Sequence, residues 1–313
     1  MRILFVSSQN SLHGLSPIVT NQGDSLKKIN LIVNYFGIKG KGIIGYLKNV
    51  SFLRRKIRSE KYDVIHAHYS FSGIVSVLSS LDIKIPIVVS LMGSDIKSSV
   101  INRFFILLFG TFFWDKIIVK SDDSKVSINS YFLKNKIIVL PNGVNFDKFF
   151  PMDIVDCKKI LGLYLNKKYI LFGANPARPE KNFNLAKKSF ELIRDENLEL
   201  IFLKNIPSDL VPIYINASSV VILSSFWEGS PNIIKEALAC NRPIVSTNCG
   251  DVRINLEGIE GCFVVYSLSP EEMANKIKKS LTFESTNSRN HILHLDDIKI
   301  ATKLQLVYKS LIN

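Results

Sequence analysis

Eleven short apolar runs punctuate the chain. They lie at 2–7, 31–35, 63–66, 86–90, 117–119 and 137–139, then at 169–173, 199–203, 220–223, 243–246 and 262–265. Many are continuous rather than alternating, and many are followed by Gly, Ser, Asn or Asp. A strand buried on both faces reads this way, so the runs predict parallel sheets covered by helices on each side. Segments of helical length separate them. The rhythm occurs twice, interrupted near 150–166 by a Pro-, Asp- and Lys-containing stretch. The expected fold class is α/β, with two doubly wound Rossmann-like domains at residues 1–150 and 151–295. The ligand is expected at the carboxyl ends of the strands, in the cleft between the domains.

A chain of 313 residues at 47% hydrophobic composition is globular and long enough for one large or two medium cores. No apolar run reaches the roughly 18–20 residues of a membrane-spanning helix. The nearest, Phe104–Trp114, has the sequence FFILLFGTFFW. As a helix it covers only about 16 Å, which favours a helix buried against a sheet over a membrane-dipping element. The opening apolar residues read as a strand, so no secretory signal is expected. Cys157, Cys240, Cys249 and Cys262 show no metal-type spacing and read as free thiols of a cytosolic protein. His291 and His294 read as structural rather than as metal ligands.

Charge changes the picture. Residues 1–150 carry 20 basic and 9 acidic side chains, and residues 151–313 carry 20 and 18. Within the first 61 residues the count is 11 against 2. Such asymmetry speaks to partners rather than to fold. The segment 47–61 (LKNVSFLRRKIRSEK) places Leu47, Val50, Leu53 and Ile57 near one helical stripe, with Lys48, Arg55, Arg58 and Lys61 mostly elsewhere. Two readings stay level: a helix resting on an anionic membrane surface, or an ordinary surface helix over a core. No nucleic-acid-binding motif accompanies the basic charge, so nucleic acid is not an expected partner.

The most informative stretch is 224–248, SSFWEGSPNIIKEALACNRPIVSTN. The strand at 220–223 leads to Glu228, and a turn at Gly229-Ser230-Pro231-Asn232 then opens an apolar-periodic helix that carries Glu236. A helix N-terminus points unpaired N–H groups and a partial positive charge forward, which suits a phosphate or diphosphate. On one helix, positions eight apart would face the same ligand from different depths. Backbone for an anion and carboxylates for hydroxyls together suit a nucleotide-sugar.

This stretch resembles the Glu-(seven residues)-Glu signature of retaining glycosyltransferases of the GT-B architecture, in family four (group 1) of polysaccharide-biosynthesis type. The resemblance covers most of the chain. MRILFVS at 1–7, YDVIHAHY at 62–69, PIVVSLMGSD at 86–95, KIIVKS at 116–121 and IIVLPNGVNFDKF at 137–149 are similar to successive landmarks of the family's first domain. FGANPARPEKN at 172–182 resembles the opening of its second. A terminal helix at 296–313 would then cross back to brace the first domain.

The resemblance implies roles. Glu236 would accept hydrogen bonds from ribose hydroxyls, and Glu228 would sit at the sugar ring as the catalytic carboxylate. The backbone of Ser230, Pro231, Asn232 and Ile233 would complete the phosphate cradle. Arg178 and Lys181 would grip the diphosphate, Arg as a fork and Lys as a point charge. The Arg spacing departs from the common pattern, so Lys181 carries over more securely. Gly14 resembles the glycine loop that approaches the donor phosphates. Where the family commonly carries His, this chain has Met92, which cannot donate a hydrogen bond. Either His66 or His68 covers that role or this branch omits it; just after a strand, an exposed His would position the acceptor and a buried one would cap the strand end. Asp95 is open between binding acceptor and capping the following helix. No Asp-x-Asp pair occupies a suitable loop. Asp122 and Asp123, on a strand, would face opposite sides. No metal and no other cofactor is therefore expected.

The expected activity is transfer of a sugar from a nucleoside diphosphate sugar to a growing bacterial surface glycan. The acceptor would be anionic or lipid-linked. The expected location is cytoplasmic, with contact to the inner face of the membrane through the basic first domain. Two alternatives stand beside it: a nucleotide-sugar epimerase of the same fold, and a catalytically degenerate glycan- or nucleotide-binding subunit.

Overall fold

The computed structural model describes residues 1–11, 14–97, 100–128 and 130–312, without the side chains of Ser94 and Lys97. The chain divides into two compact units, Met1–Gly143 with Asp297–Asn313, and Val144–Asp296.

Among the described residues the first unit holds six parallel strands: β1 (Arg2–Ser8), β2 (Ile32–Ile38), β3 (Val64–His68), β4 (Ile87–Ser90), β5 (Lys116–Val119) and β6 (Ile137–Val139). Their order across the sheet is β2-β1-β3-β4-β5-β6. β3 and β4 are buried along their whole length, as continuous apolar runs require. Between the strands lie α1 (Pro17–Lys28), α2 (Gly42–Leu47), α3 (Val50–Ser59), α4 (Ser70–Ser79), α5 (Ser94–Lys97), α6 (Val100–Phe112) and α7 (Asp122–Ile128).

The second unit holds β7 (Lys168–Phe172), β8 (Leu198–Phe202), β9 (Val220–Leu223), β10 (Ile244–Thr247) and β11 (Cys262–Val265), all parallel, in the order β11-β10-β9-β7-β8. Its helices are α8 (Ile154–Leu161), α9 (Phe183–Glu191), α10 (Val211–Ala217), α11 (Asn232–Ala239), α12 (Val252–Leu256), α13 (Pro270–Ser280) and α14 (Ser288–His291). The chain enters this unit at Val144 and leaves at Asp296, and these two residues pair with each other. Arg289 fixes the entry segment by donating to the carbonyls of Phe146 and Phe149. Residues 144–150 therefore belong to the second unit, ahead of the composition break. The last helix, α15 (Asp297–Ile312), returns to the first unit.

Every apolar run became a strand. Three local expectations did not hold. Segment 47–61 is not one helix. Asn49 bonds the carbonyls of Gly45 and Lys39 at 2.7 and 2.9 Å, and so divides α2 from α3. The segment 104–114 is only half buried. Ile106 and Gly110 of α6 face the core, while Phe104 and Phe112 are 60% and 70% exposed. Asp122 and Asp123 open helix α7 and are not on a strand.

Candidate active site

In the second sheet the chain runs from β7 to β8 on one side, then returns to β9 on the other. The carboxyl ends of β7 and β9 thus flank a topological switch point, where loops diverge and leave a crevice. Lys181 sits on the loop after β7 and Glu228 on the loop after β9. Their side chains form an ion pair, and both are only 12–15% exposed. Ser225 donates to the same glutamate oxygen, Oε1, at 2.7 Å. Oε2 of Glu228 stays uncommitted among the described residues.

The loops are stitched to one another. Ser224 donates to the carbonyls of Lys181 and Asn182 at 3.0 and 2.9 Å, and the Phe226 N–H donates to the Glu180 carbonyl at 3.0 Å. Thr247, ending β10, donates to the Ser225 carbonyl at 2.7 Å. Gly250, at φ +60, passes so close that a Cβ there would lie 2.4 Å from the Gly229 oxygen. Gly173, ending β7, leaves equally little room beside Ile233 on α11, at 2.5 Å. Only glycine permits these approaches.

Pro231 caps α11, which begins at Asn232. Ile233, Ile234, Lys235, Ala237, Leu238 and Ala239 are buried, so the helix is held on nearly every side. Its first N–H groups lie outside the intrahelical ladder. Beneath the cap runs a buried polar chain. Lys235 donates to Ser230 Oγ at 3.0 Å, and Ser230 donates to Asp251 at 2.6 Å. Burial is the main effect on both ends: it lowers the Lys235 ammonium and raises the Asp251 carboxyl, against their mutual attraction.

Glu236 lies one turn into α11, partly buried, and its carboxylate accepts no hydrogen bond among the described residues. Burial raises it to about 7, opposed by the nearby charges of Lys235 and Lys148. Lys148 itself reaches Asp209 at 3.0 Å and Ser208 at 3.4 Å. Cys249, buried and also near Glu228, is pushed up to about 12 and is no nucleophile.

The two glutamates lie on either side of the turn at 229–232, as the sequence pattern implies. Glu228 is on the loop, four residues before α11 begins, and Glu236 is on the helix. Arg178 is 59% exposed and paired with Glu180, so it is Lys181 that meets Glu228. In the first unit, Gly14 adopts φ +81 and its N–H donates to the Ser11 carbonyl at 3.1 Å; Leu12 and His13 fall outside the described residues.

The histidines are not exposed. Both belong to β3 and are buried, stacked at 4.4 Å. His66 has both nitrogens engaged, Nδ1 with the Tyr308 hydroxyl of α15 at 2.5 Å and Nε2 with Ser90 at 2.8 Å. Burial drives its basicity down, and His68 falls to about 3 for the same reason. His66 is thus a structural brace for α15. Asp95 is spent within the fold. Its buried carboxylate accepts from the N–H groups of Met92, Gly93 and Ser70 at 2.9, 3.1 and 3.3 Å. Through Ser70 it caps the start of α4.

Two families match the chain in tandem: "Glycosyltransferase Family 4" over residues 17–148 and "Glycosyl transferases group 1" over residues 158–282. The chain is a family-four glycosyltransferase. An uncharacterized glycosyltransferase of Methanocaldococcus jannaschii is 29% identical over 255 residues, covering 77% of this chain and 72% of the relative. The Escherichia coli UDP-Gal:alpha-D-GlcNAc-diphosphoundecaprenol alpha-1,3-galactosyltransferase is 25% identical over 309 residues, covering 85% and 80%. Sucrose-phosphate synthase from Thermosynechococcus elongatus superposes with a TM-score of 0.86 at 15% identity, over 99% of this chain and 98% of that one. This last likeness shows the GT-B fold alone.

Several side chains around the candidate site of this glycosyltransferase leave no mark in the sequence that singles them out. Lys235 is the most conspicuous, a lysine among apolar residues of IIKEALA, where buried charge signals a partner. Ser225, Asp251 and Lys148 carried no local signal, because each reaches the site only through the fold. Phe226 and Trp227, stacked and roughly half exposed just before Glu228, were legible as aromatics but not as site residues.

Proposed function

We propose that this glycosyltransferase moves a sugar, with retention at the anomeric carbon, from a nucleoside diphosphate sugar to a lipid-diphosphate-linked glycan. The observation that carries the reading is the Lys181–Glu228 pair at the switch point, one turn of chain before the α11 N-terminus. A diphosphate arriving there takes over Lys181 and the first N–H groups of α11, and Arg178 lies on the same loop. Sugar hydroxyls take over the free Oε2 of Glu228. Ribose hydroxyls give Glu236 the partners it lacks.

Glu228 serves in this reading as a positioning and charge-stabilising carboxylate. When Lys181 turns to the diphosphate, Ser225 still holds Oε1 and so keeps the carboxylate oriented beside the sugar. The bond from the anomeric carbon to the diphosphate oxygen breaks, the acceptor oxygen attacks from the same face, and the departing diphosphate takes the acceptor's proton. Lys181 and the α11 amides supply the positive charge that balances the leaving group, so no metal is required. The E. coli relative acts on a diphosphoundecaprenol-linked sugar. That supports a lipid-linked acceptor here, as does the basic first unit, which would lie against the inner leaflet.

The test is a thermal-shift screen with UDP, GDP, ADP, CDP and their sugars, with EDTA present. A hundredfold excess over Kd adds about 2.7 kcal/mol of apparent stability. A shift with one nucleotide, kept in EDTA and lost in Glu236→Ala, is the expected result. No shift with any nucleotide refutes the donor site. The anomeric configuration of the product, read by NMR, tests retention.

A further inference from the structure

We infer that the first unit carries a two-part acceptor site, a cationic glycine loop for a diphosphate and an apolar slot for the first isoprenoid units attached to it. The inference rests on the lipid-diphosphate reading above and locates the lipid.

The head-group end is a cavity of about 450 Å³ at the carboxyl ends of β1, β2 and β3, lined by Ser8, Asn10, Lys41, Tyr46 and Tyr69. The first sheet also reverses here, since β1 is followed by β2 on one side and β3 on the other. The loop after β2 reads Lys39-Gly40-Lys41-Gly42. Both glycines adopt positive φ, +109 and +67. Asn10 fixes the loop by clasping the Gly40 backbone from both sides, donating to its carbonyl at 2.7 Å and accepting from its N–H at 2.9 Å. No acidic side chain pairs with Lys39 or Lys41 among the described residues, and both are exposed. Tyr69 stands at φ +84, a region seldom tolerated by side chains, where β3 ends at the cavity wall. A rigid, cationic, glycine-bearing loop with unspent charge is suited to a diphosphate.

Beside the cavity lies an apolar slot of about 150 Å³. Ile43, Tyr46 and Phe71 line both spaces, and Leu47, Phe105 and Phe109 close the slot between α2, α4 and α6. Beyond it, α6 presents Val100, Ile101, Phe104, Leu108 and Phe112 outward, and Arg103 is its only charge. Such a stripe is unusual on a soluble surface. A cationic mouth, then an apolar slot, then an open apolar face follows the polarity of one molecule in order: a diphosphate, its first isoprenoid units, and a hydrocarbon tail continuing into the leaflet. A flat membrane-resting face would need no apolar slot beside a cationic cavity.

Calorimetry on the full chain, with farnesyl diphosphate and inorganic diphosphate as probes, tests this. Farnesyl diphosphate should bind at least about tenfold tighter. Ile43→Asp and Leu47→Asp, both at exposed positions, should erase that preference and leave diphosphate binding in place. Lys41→Glu should weaken both ligands. Unchanged melting temperatures establish that the variants fold. Equal affinities for the two probes, or slot variants that keep the preference, would overturn the inference and leave α6 as a plain bilayer contact. The nucleotide screen reads the second unit separately. A nucleotide shift without farnesyl preference sinks only this inference, whereas absence of both sinks the transferase mechanism.

Discussion

Glu236→Gln separates charge from shape at the candidate donor site. In the folded protein burial raises this carboxyl from 4.5 to about 7. In the unfolded chain it ionises at about 4.3. Between those values the folded state binds a proton that the unfolded chain has released, so stability falls as pH rises through the window and is lowest above about 7. The full gap corresponds to about 3–4 kcal/mol at most. Partial contact with solvent reduces the expected effect to about 1–2 kcal/mol. The amide carries no such penalty. Without ligand at pH 8, the Gln variant should melt about 2–8 °C above the wild type. The difference should close as pH falls toward ~4.5. Saturating nucleotide should reverse the order, because only the carboxylate accepts both ribose hydroxyls. Differential scanning calorimetry from pH 4.5 to 8.5, with and without nucleotide, reads all three. A wild type at least as stable as the variant at pH 8 without ligand would refute the claim that Glu236 is an unpaired, partly buried charge.

Other outcomes follow from the same geometry. Glu228→Gln should lower kcat by about 10²–10⁴ with nucleotide affinity mostly kept, measured by product formation beside Trp227 fluorescence. Gly250→Ala should cost about 1–3 kcal/mol and lower activity, because a Cβ 2.4 Å from the Gly229 oxygen at φ +60 must displace the Glu228 loop. A variant as stable and active as the wild type would show that the loop has slack. Tyr308→Phe removes the hydroxyl that His66 engages and should cost about 1–2 kcal/mol in denaturant unfolding, with the nucleotide shift unaltered.

Most of the fold was legible because parallel strands buried on both faces leave a local mark. Val220–Leu223 and Ile87–Ser90 are short apolar runs whatever surrounds them, and runs of that kind separated by helical lengths permit few topologies. The turn at 229–232 also announced α11, because proline and serine act on the backbone of their own neighbours. The division of 47–61 was not legible in the same way, since it depends on Asn49 reaching carbonyls that the loop after β2 brings within range.

The two sheets, the glutamates and lysine of the candidate site, and the basic bias of the first half are readable along the chain. Each of these rests on residue type and spacing along the chain. Tertiary structure decided what each group meets. It placed Lys181 against Glu228 from loops 47 residues apart, and it threaded Ser230 between Lys235 and Asp251. It spent His66 on Tyr308, 242 residues away, and Asp95 on the first turn of α4. Burial and partnership depend on position in space, and long-range contacts leave no period or motif in the chain that makes them.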